Sequence, residues 1–198
     1  MNTSRRAFER RTGMRVPRRL FLISVEGQKT ERQYFVVLEK MLGREHNFHI
    51  EFAGAQSCSK SSPKDVLARL KRDTVDEKPD EAWLVVDKDE RKESAFVPLH
   101  NWVKTGGRGY EKGLAISAPK FEYWLLLHFE ETTVCDSSDC TRKLKGHVPR
   151  YNKDVDPGTY TKEMVSKAAR RAYKTHGGKS SGSCYTTVDV LVKHILAT

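Results

Sequence analysis

Phe21-Leu22-Ile23-Ser24-Val25-Glu26-Gly27 is an apolar run that closes on an acid and a glycine, and Trp83-Leu84-Val85-Val86-Asp87-Lys88-Asp89 repeats the design further along the chain. Each run reads as a buried strand that delivers carboxylates at its C-terminal edge. Open α/β sheets bind ligands just outside the carboxyl ends of their strands. Carboxylates gathered there make a magnesium site, because that ion takes hard oxygen ligands together with water and phosphate oxygens.

The segments around these two strands alternate in kind. After β-like Leu20 to Val25, Gly27 makes a turn, and Thr30 with Gln33 fits a capping box. Phe35, Leu38 and Leu42 follow at helical spacing. Phe48 to Ala53 alternates as a strand, with Phe48, Ile50 and Phe52 on one face. Ser62 and Pro63 predict the start of a helix whose apolar face is Val66, Leu67 and Leu70. Ala82 to Val86 is the second acidic strand, and a polar stretch leads to a helix with Phe96, Leu99 and Val103. Leu114 to Ser117 is a short strand. Ala118-Pro119 opens a helix with Phe121, Leu125 and His128 on one stripe, apolar on nearly every side and therefore buried.

Strand–helix alternation of this kind predicts an α/β fold with a mostly parallel four-stranded sheet flanked by helices. Beyond residue 130 the pattern changes. Residues 131–158 read as polar and turn-rich, and 160–174 as a basic helix carrying Lys162, Lys167, Arg170, Arg171 and Lys174. Thr175 to Ser183 is a Gly/Ser loop, and Thr187 to Leu196 a closing amphipathic helix. The organisation expected is a basic arm over 1–19, a metal-binding domain over 20–130, and a C-terminal helical extension of the same domain over 131–198.

The chain has 198 residues, with 36 Lys plus Arg against 26 Asp plus Glu, a net charge of +10. That balance favours a polyanionic partner, nucleic acid before membrane. No segment approaches the ~20 apolar residues of a membrane span, and no apolar leader opens the chain. Cys58, Cys135, Cys140 and Cys184 are too sparse for a disulfide framework, so reduced thiols and a cytoplasmic setting are expected.

Glu26, Asp87 and Asp89 are the central constellation. In an extended segment Asp87 and Asp89 point the same way and hold one ion or bracket two. Glu26 either completes the site or accepts a proton from the attacking water. Glu122, in the first turn of its helix, is a dipole-favoured acid or a member of the site. His128 is a core histidine or a base. Lys29 sits where a helix N-terminus meets phosphate, or is merely solvated. Arg18 and Arg19 end the basic arm, and with Lys167, Arg170 and Arg171 they are the candidate contacts to a nucleic-acid backbone. Cys135, Cys140 and His147 hint at zinc with too few ligands to close a structural site. Gly106-Gly107-Arg108-Gly109 is a phosphate loop or a turn, and Trp83 and Trp102 are stacking platforms or core.

Three stretches in order resemble the RloB-like family, whose relatives include the abortive-infection protein AbiLii. They are Ile23-Ser24-Val25-Glu26-Gly27-Gln28-Lys29-Thr30-Glu31, Val85-Val86-Asp87-Lys88-Asp89-Glu90, and Ser117-Ala118-Pro119-Lys120-Phe121-Glu122-Tyr123-Trp124-Leu125-Leu126-Leu127-His128-Phe129. Tyr151-Asn152-Lys153, the alanine-rich basic helix and the Thr186-Thr187-Val188 helix are similar in layout. The resemblance implies a Toprim fold, with Glu26 serving catalysis and Asp87 and Asp89 holding Mg2+ or Mn2+. Toprim domains occur in topoisomerases, primases and nucleases. Without a tyrosine-bearing breakage domain or a zinc-binding primase domain, the resemblance implies a metal-dependent nuclease of anti-phage defence acting on RNA such as tRNA, or on DNA. Such proteins pair with an ABC or SMC-like ATPase partner, and this chain carries no G-x-x-x-x-G-K-[ST] loop of its own. The alternatives are a non-catalytic nucleic-acid-binding or regulatory subunit, and a nucleotidyl transferase.

Overall fold

Strand β1 is Arg19–Val25, and its side chains divide between two core layers. Phe21, Ile23 and Val25 enter one layer and Leu22 the other. A strand covered on both faces has no need of polar alternation, which is why β1 reads as an unbroken apolar run. The computed structural model describes residues 17–27, 29–54, 62–107, 109–134, 136–177 and 184–197. Most of the expected basic arm, Cys58, Cys135, Arg108 and the Gly/Ser tract at 178–183 lie outside the described residues.

After β1 come α1 (Thr30–Leu42), β2 (Phe48–Phe52), α2 (Pro63–Glu77) and β3 (Glu81–Asp87). α3 (Val97–Lys104), β4 (Glu111–Ala118), α4 (Phe121–Leu126) and α5 (Ser137–His147) follow, then α6 (Lys162–Gly177), β5 (Tyr185–Thr186) and α7 (Val188–Leu196). The sheet order is β2-β1-β3-β4-β5. The first four strands are parallel, and β5 runs antiparallel to β4, pairing Ser117 with Thr186. The sheet therefore has five strands rather than the four expected. β5 is two residues long and carries no periodicity to read. It is held by Ser117 and Thr186, whose hydroxyl oxygens lie 3.0 Å apart in the core.

One core layer holds the inward side chains of α1, α4, α5, α6 and α7, and the opposite layer those of α2 and α3. From β1 the chain first moves to one side of the sheet, to β2, and then to the other, to β3 and β4. That reversal leaves a crevice at the carboxyl ends of β1 and β3.

Ser62 caps α2 as expected, its hydroxyl accepting from the Asp65 N–H, with Pro63 in the first turn. The expected Thr30–Gln33 capping box does not form. The Thr30 hydroxyl donates to the Lys153 carbonyl at 3.0 Å, and the Gln33 carboxamide bonds Asp154 and the Val155 N–H. Residues 131–158 are not uniformly turn-rich, because α5 lies within them. Asp136 caps it, accepting from the N–H groups of Ser138 and Asp139, and Cys140 and Leu144 bury its inner side. α4 ends at Leu126, so His128 sits in the turn beyond it. Cys140 is a free buried thiol, whereas Cys184 is disulfide-bonded, against the expectation of reduced thiols throughout.

Candidate functional site

Glu26 immediately follows β1, and its N–H still joins the ladder through the Val85 carbonyl at 3.0 Å. Asp87 ends the neighbouring strand β3 and directs its N–H to Glu26 Oε2 at 3.2 Å. The chain then turns sharply instead of staying extended. Asp89 takes a left-handed φ of 43°, and its N–H bonds the Pro119 carbonyl at 2.7 Å. Asp89 is therefore not carried to the site by strand alternation, as expected, but by this turn.

The same turn brings back Arg91, which the motif reading did not single out. Its guanidinium grips Glu26 with both arms, Nη2 to Oε1 at 2.5 Å and Nη1 to Oε2 at 3.2 Å. Nη1 also donates to the Asp87 carbonyl at 2.9 Å and lies 3.6 Å from Asp89 Oδ2.

Two further acids stand beside this group. Glu31, in the first turn of α1, is buried and accepts from the Gly27 N–H at 3.1 Å. A Cβ on Gly27 would come within 2.2 Å of the Glu31 carboxylate, so the bare glycine lets that side chain fold back over the turn. Glu122, in the first turn of α4, is buried and accepts from the Tyr151 hydroxyl at 2.9 Å.

All five acids line one cleft of about 450 Å³. Lys29, Lys120 and Lys153 line it as well. Burial pushes the Asp87 carboxyl well above the usual carboxylate range, helped by the charges of Glu31, Glu26, Asp89 and Glu122. Glu31 is raised by burial, with Glu122 and Glu26 adding to it. Glu26 is also raised, because desolvation outweighs the attraction of Arg91. The acids of the cleft thus oppose one another's charge, with Arg91 paired to Glu26 at its side. An all-oxygen donor set in that state fits a hard divalent cation.

The sequence model of RloB-like proteins matches residues 21–195. The chain belongs to the RloB-like protein family. No curated protein and no solved structure matches it.

The remaining expected site residues of this RloB-like chain are scattered. Lys29 is at the cleft, but its ammonium is paired with Asp154 at 2.9 Å. Arg18 and Arg19 sit at the opposite, N-terminal end of β1, roughly 20 Å away by strand rise. Arg19 is spoken for by Glu81 at 2.8 Å and Glu111 at 3.5 Å. On α6, Lys167 pairs with Glu163 one turn back, and the Arg171 guanidinium donates to the Leu127 carbonyl at 2.6 Å, tying α6 to the end of α4. Arg170 is exposed.

His128 is a core residue. Its Nδ1 lies 3.0 Å from the Trp124 carbonyl and its Nε2 3.1 Å from the Tyr34 hydroxyl. Trp83 and Trp102 are buried in the two core layers. Gly106, Gly107 and Gly109 precede β4, at the end of the strands opposite the acids. The hint of zinc finds no support among the described residues, since Cys140 faces the core while His147 Nε2 bonds Glu130 and its ring stacks on Phe129. No helix among the described residues is long and apolar enough to cross a membrane.

Among the described residues, the group of three whose ligand atoms all lie within 4.8 Å of one another is Glu81, Glu111 and His194, at the far edge of the sheet. Arg19 already supplies the positive charge there. Glu26, Asp87 and Asp89 are not drawn together that tightly, and Glu26 is turned to Arg91.

Glu31, Arg91, Lys120 and Lys153 were not legible as site residues. Glu31 sits in the first helical turn and Arg91 two residues past the D-x-D, so each had a positional signal. Nothing local said that they come to the carboxyl ends of β1 and β3.

Proposed function

We propose that this RloB-like chain is a Toprim-type nuclease dependent on Mg2+ or Mn2+, hydrolysing phosphodiester bonds of nucleic acid in anti-phage defence under the control of an ATPase partner. The observation that carries the reading is the convergence of Glu26, Glu31, Asp87, Asp89 and Glu122 on one cleft at the strand-order reversal, with lysines on the same lining.

Glu26, Asp87 and Asp89 are the residues that would hold the ion, with Glu122 and Glu31 behind them. Bound there, a divalent cation would polarise a phosphate oxygen and lower the pKa of water. The chain supplies the rest. Lys120 and Lys153 hold flanking phosphates, and Lys29 joins them by releasing Asp154. One Glu26 oxygen accepts the proton of the attacking water, the other being left for the ion, and the buried wall around Glu31 and Glu122 excludes bulk solvent. The net charge of +10 draws a polyanion to the surface.

The test is cleavage of tRNA, single-stranded and duplex substrates with Mg2+ or Mn2+, with the ATPase partner present. Asp87→Ala is expected to lower the rate by about a hundredfold or more, since even outer-shell partners of a metal site are worth 10- to about 100-fold. Equal cleavage by wild type and variant would end the proposal. The Glu26–Arg91 ion pair favours a second reading, a non-catalytic nucleic-acid-binding subunit whose acids serve structure. Salt-dependent binding that survives Glu26→Ala with Asp87→Ala, without turnover in wild type, would select it.

A further inference from the structure

Arg91 stands where a cation is wanted. Its fork occupies both Glu26 oxygens, takes the Asp87 carbonyl and reaches toward Asp89. The side chain remains 29% exposed and projects from the turn between β3 and α3, outside any helix or strand. Its hold on the site is three hydrogen bonds, two to the Glu26 carboxylate and one to the Asp87 carbonyl. Glu26 cannot serve a bidentate guanidinium and a divalent ion with the same oxygens, and the two positive charges repel at that distance.

We propose that Arg91 is a displaceable counter-ion. At rest it neutralises Glu26 and keeps divalent cations out. When a cation and a nucleic-acid strand enter, it leaves Glu26 and takes a substrate phosphate. A planar fork suits phosphate as well as it suits carboxylate, so the exchange keeps its hydrogen bonds. The site is then assembled by its substrate, and the resting protein has little means to cut. This inference rests on the metal-dependent reading above, and it makes Arg91 a phosphate-binding residue as well as a gate.

The experiment is Mn2+ titration of the full chain, followed by calorimetry and by electron paramagnetic resonance of the free ion, without nucleic acid. Arg91→Ala is expected to bind Mn2+ at least about tenfold more tightly than wild type, the worth of one charge-assisted hydrogen bond. In Ca2+, the same variant is expected to bind a single-stranded oligonucleotide about tenfold more weakly. Arg91→Gln, which removes the charge and keeps a polar side chain, should move both quantities the same way. Thermal melting with and without Mn2+ checks the fold, and the ion should raise the melting temperature of Arg91→Ala more than that of wild type. Measurable Mn2+ binding that is equal or weaker in both variants overturns the role of Arg91 and leaves the metal site standing. No Mn2+ binding by any of the three proteins overturns the metal reading and this inference with it.

Discussion

At His128 the ring is enclosed by Tyr34, Trp124 and Tyr160, each edge-on with centroids 5.0–5.5 Å away. The Trp124 carbonyl can only accept, so Nδ1 carries the proton and Nε2 accepts from the Tyr34 hydroxyl. A protonated ring would turn the second bond around, Nε2 donating to the Tyr34 oxygen, and would place a charge in the core. Burial accordingly pushes the His128 pKa down from 6.5 to about 4. The folded pKa lies below the unfolded one, so the unfolded chain binds more protons between those values. The stabilising contribution is complete above about pH 6.5, shrinks as the pH falls, and is gone by about pH 4, a loss on the order of 3 kcal/mol. Urea unfolding of wild type and His128→Gln at pH 7.5, 5.5 and 4.5 reads this directly. The variant should lose less stability over that range, and parallel curves would refute the assignment. The sequence left His128 open between core and catalysis because an apolar stripe is compatible with both. Its two hydrogen-bond partners decide the matter, and Tyr34 comes from a helix far away in the chain.

At the scale of elements, β4 is longer than its apolar core suggests, beginning at Glu111 rather than Leu114. Gly113 explains part of this. It pairs with Trp83 across β3 and β4, and a Cβ there would meet the indole ring at 2.3 Å. The indole cannot easily retreat, since its Nε1 donates to Glu81 at 2.7 Å and His194 lies edge-on against it. Gly113→Ala should therefore cost about 1–3 kcal/mol of stability through overpacking. Chemical denaturation measures it, and a change within about 0.5 kcal/mol, the ordinary range for an inert surface substitution, would show that the strand absorbs the methyl. Where a start signal is local, the sequence reveals it, as at Ser62-Pro63. It conceals α5, whose inner side offers only Cys140 and Leu144 among mostly polar residues. It misleads at Thr30, where a good local cap is overruled by the segment around Lys153.

Over the whole molecule, the C-terminal elements are part of the same core as the sheet. Leu144, Val165, Ala168, Leu191 and Ile195 share one apolar cluster with Phe21, Phe35 and Trp124. They also wall the cleft, through Tyr151 on Glu122 and Lys29 on Asp154. A chain ending after Glu130 would bare that face of the sheet and of α1. It is expected to lose its near-ultraviolet circular dichroism and its cooperative melt, and a truncated chain that melts cooperatively would show that residues 20–130 stand alone. The alternation of strands and helices, the parallel sheet and the acids at the ends of β1 and β3 could all be read along the chain. Each depends on the side-chain period of a short segment and on what terminates it, and the family resemblance rests on the order of such segments. What a linear reading could not supply is adjacency. That β1 lies beside β3, that Glu31 and Glu122 share a cleft with Asp87, and that Arg91 pairs with Glu26 all follow from strand order and from a turn at Asp89. Charges as far apart in sequence as Glu26 and Arg91, 65 residues, interact only after the sheet has brought them together, and no local periodicity records that distance.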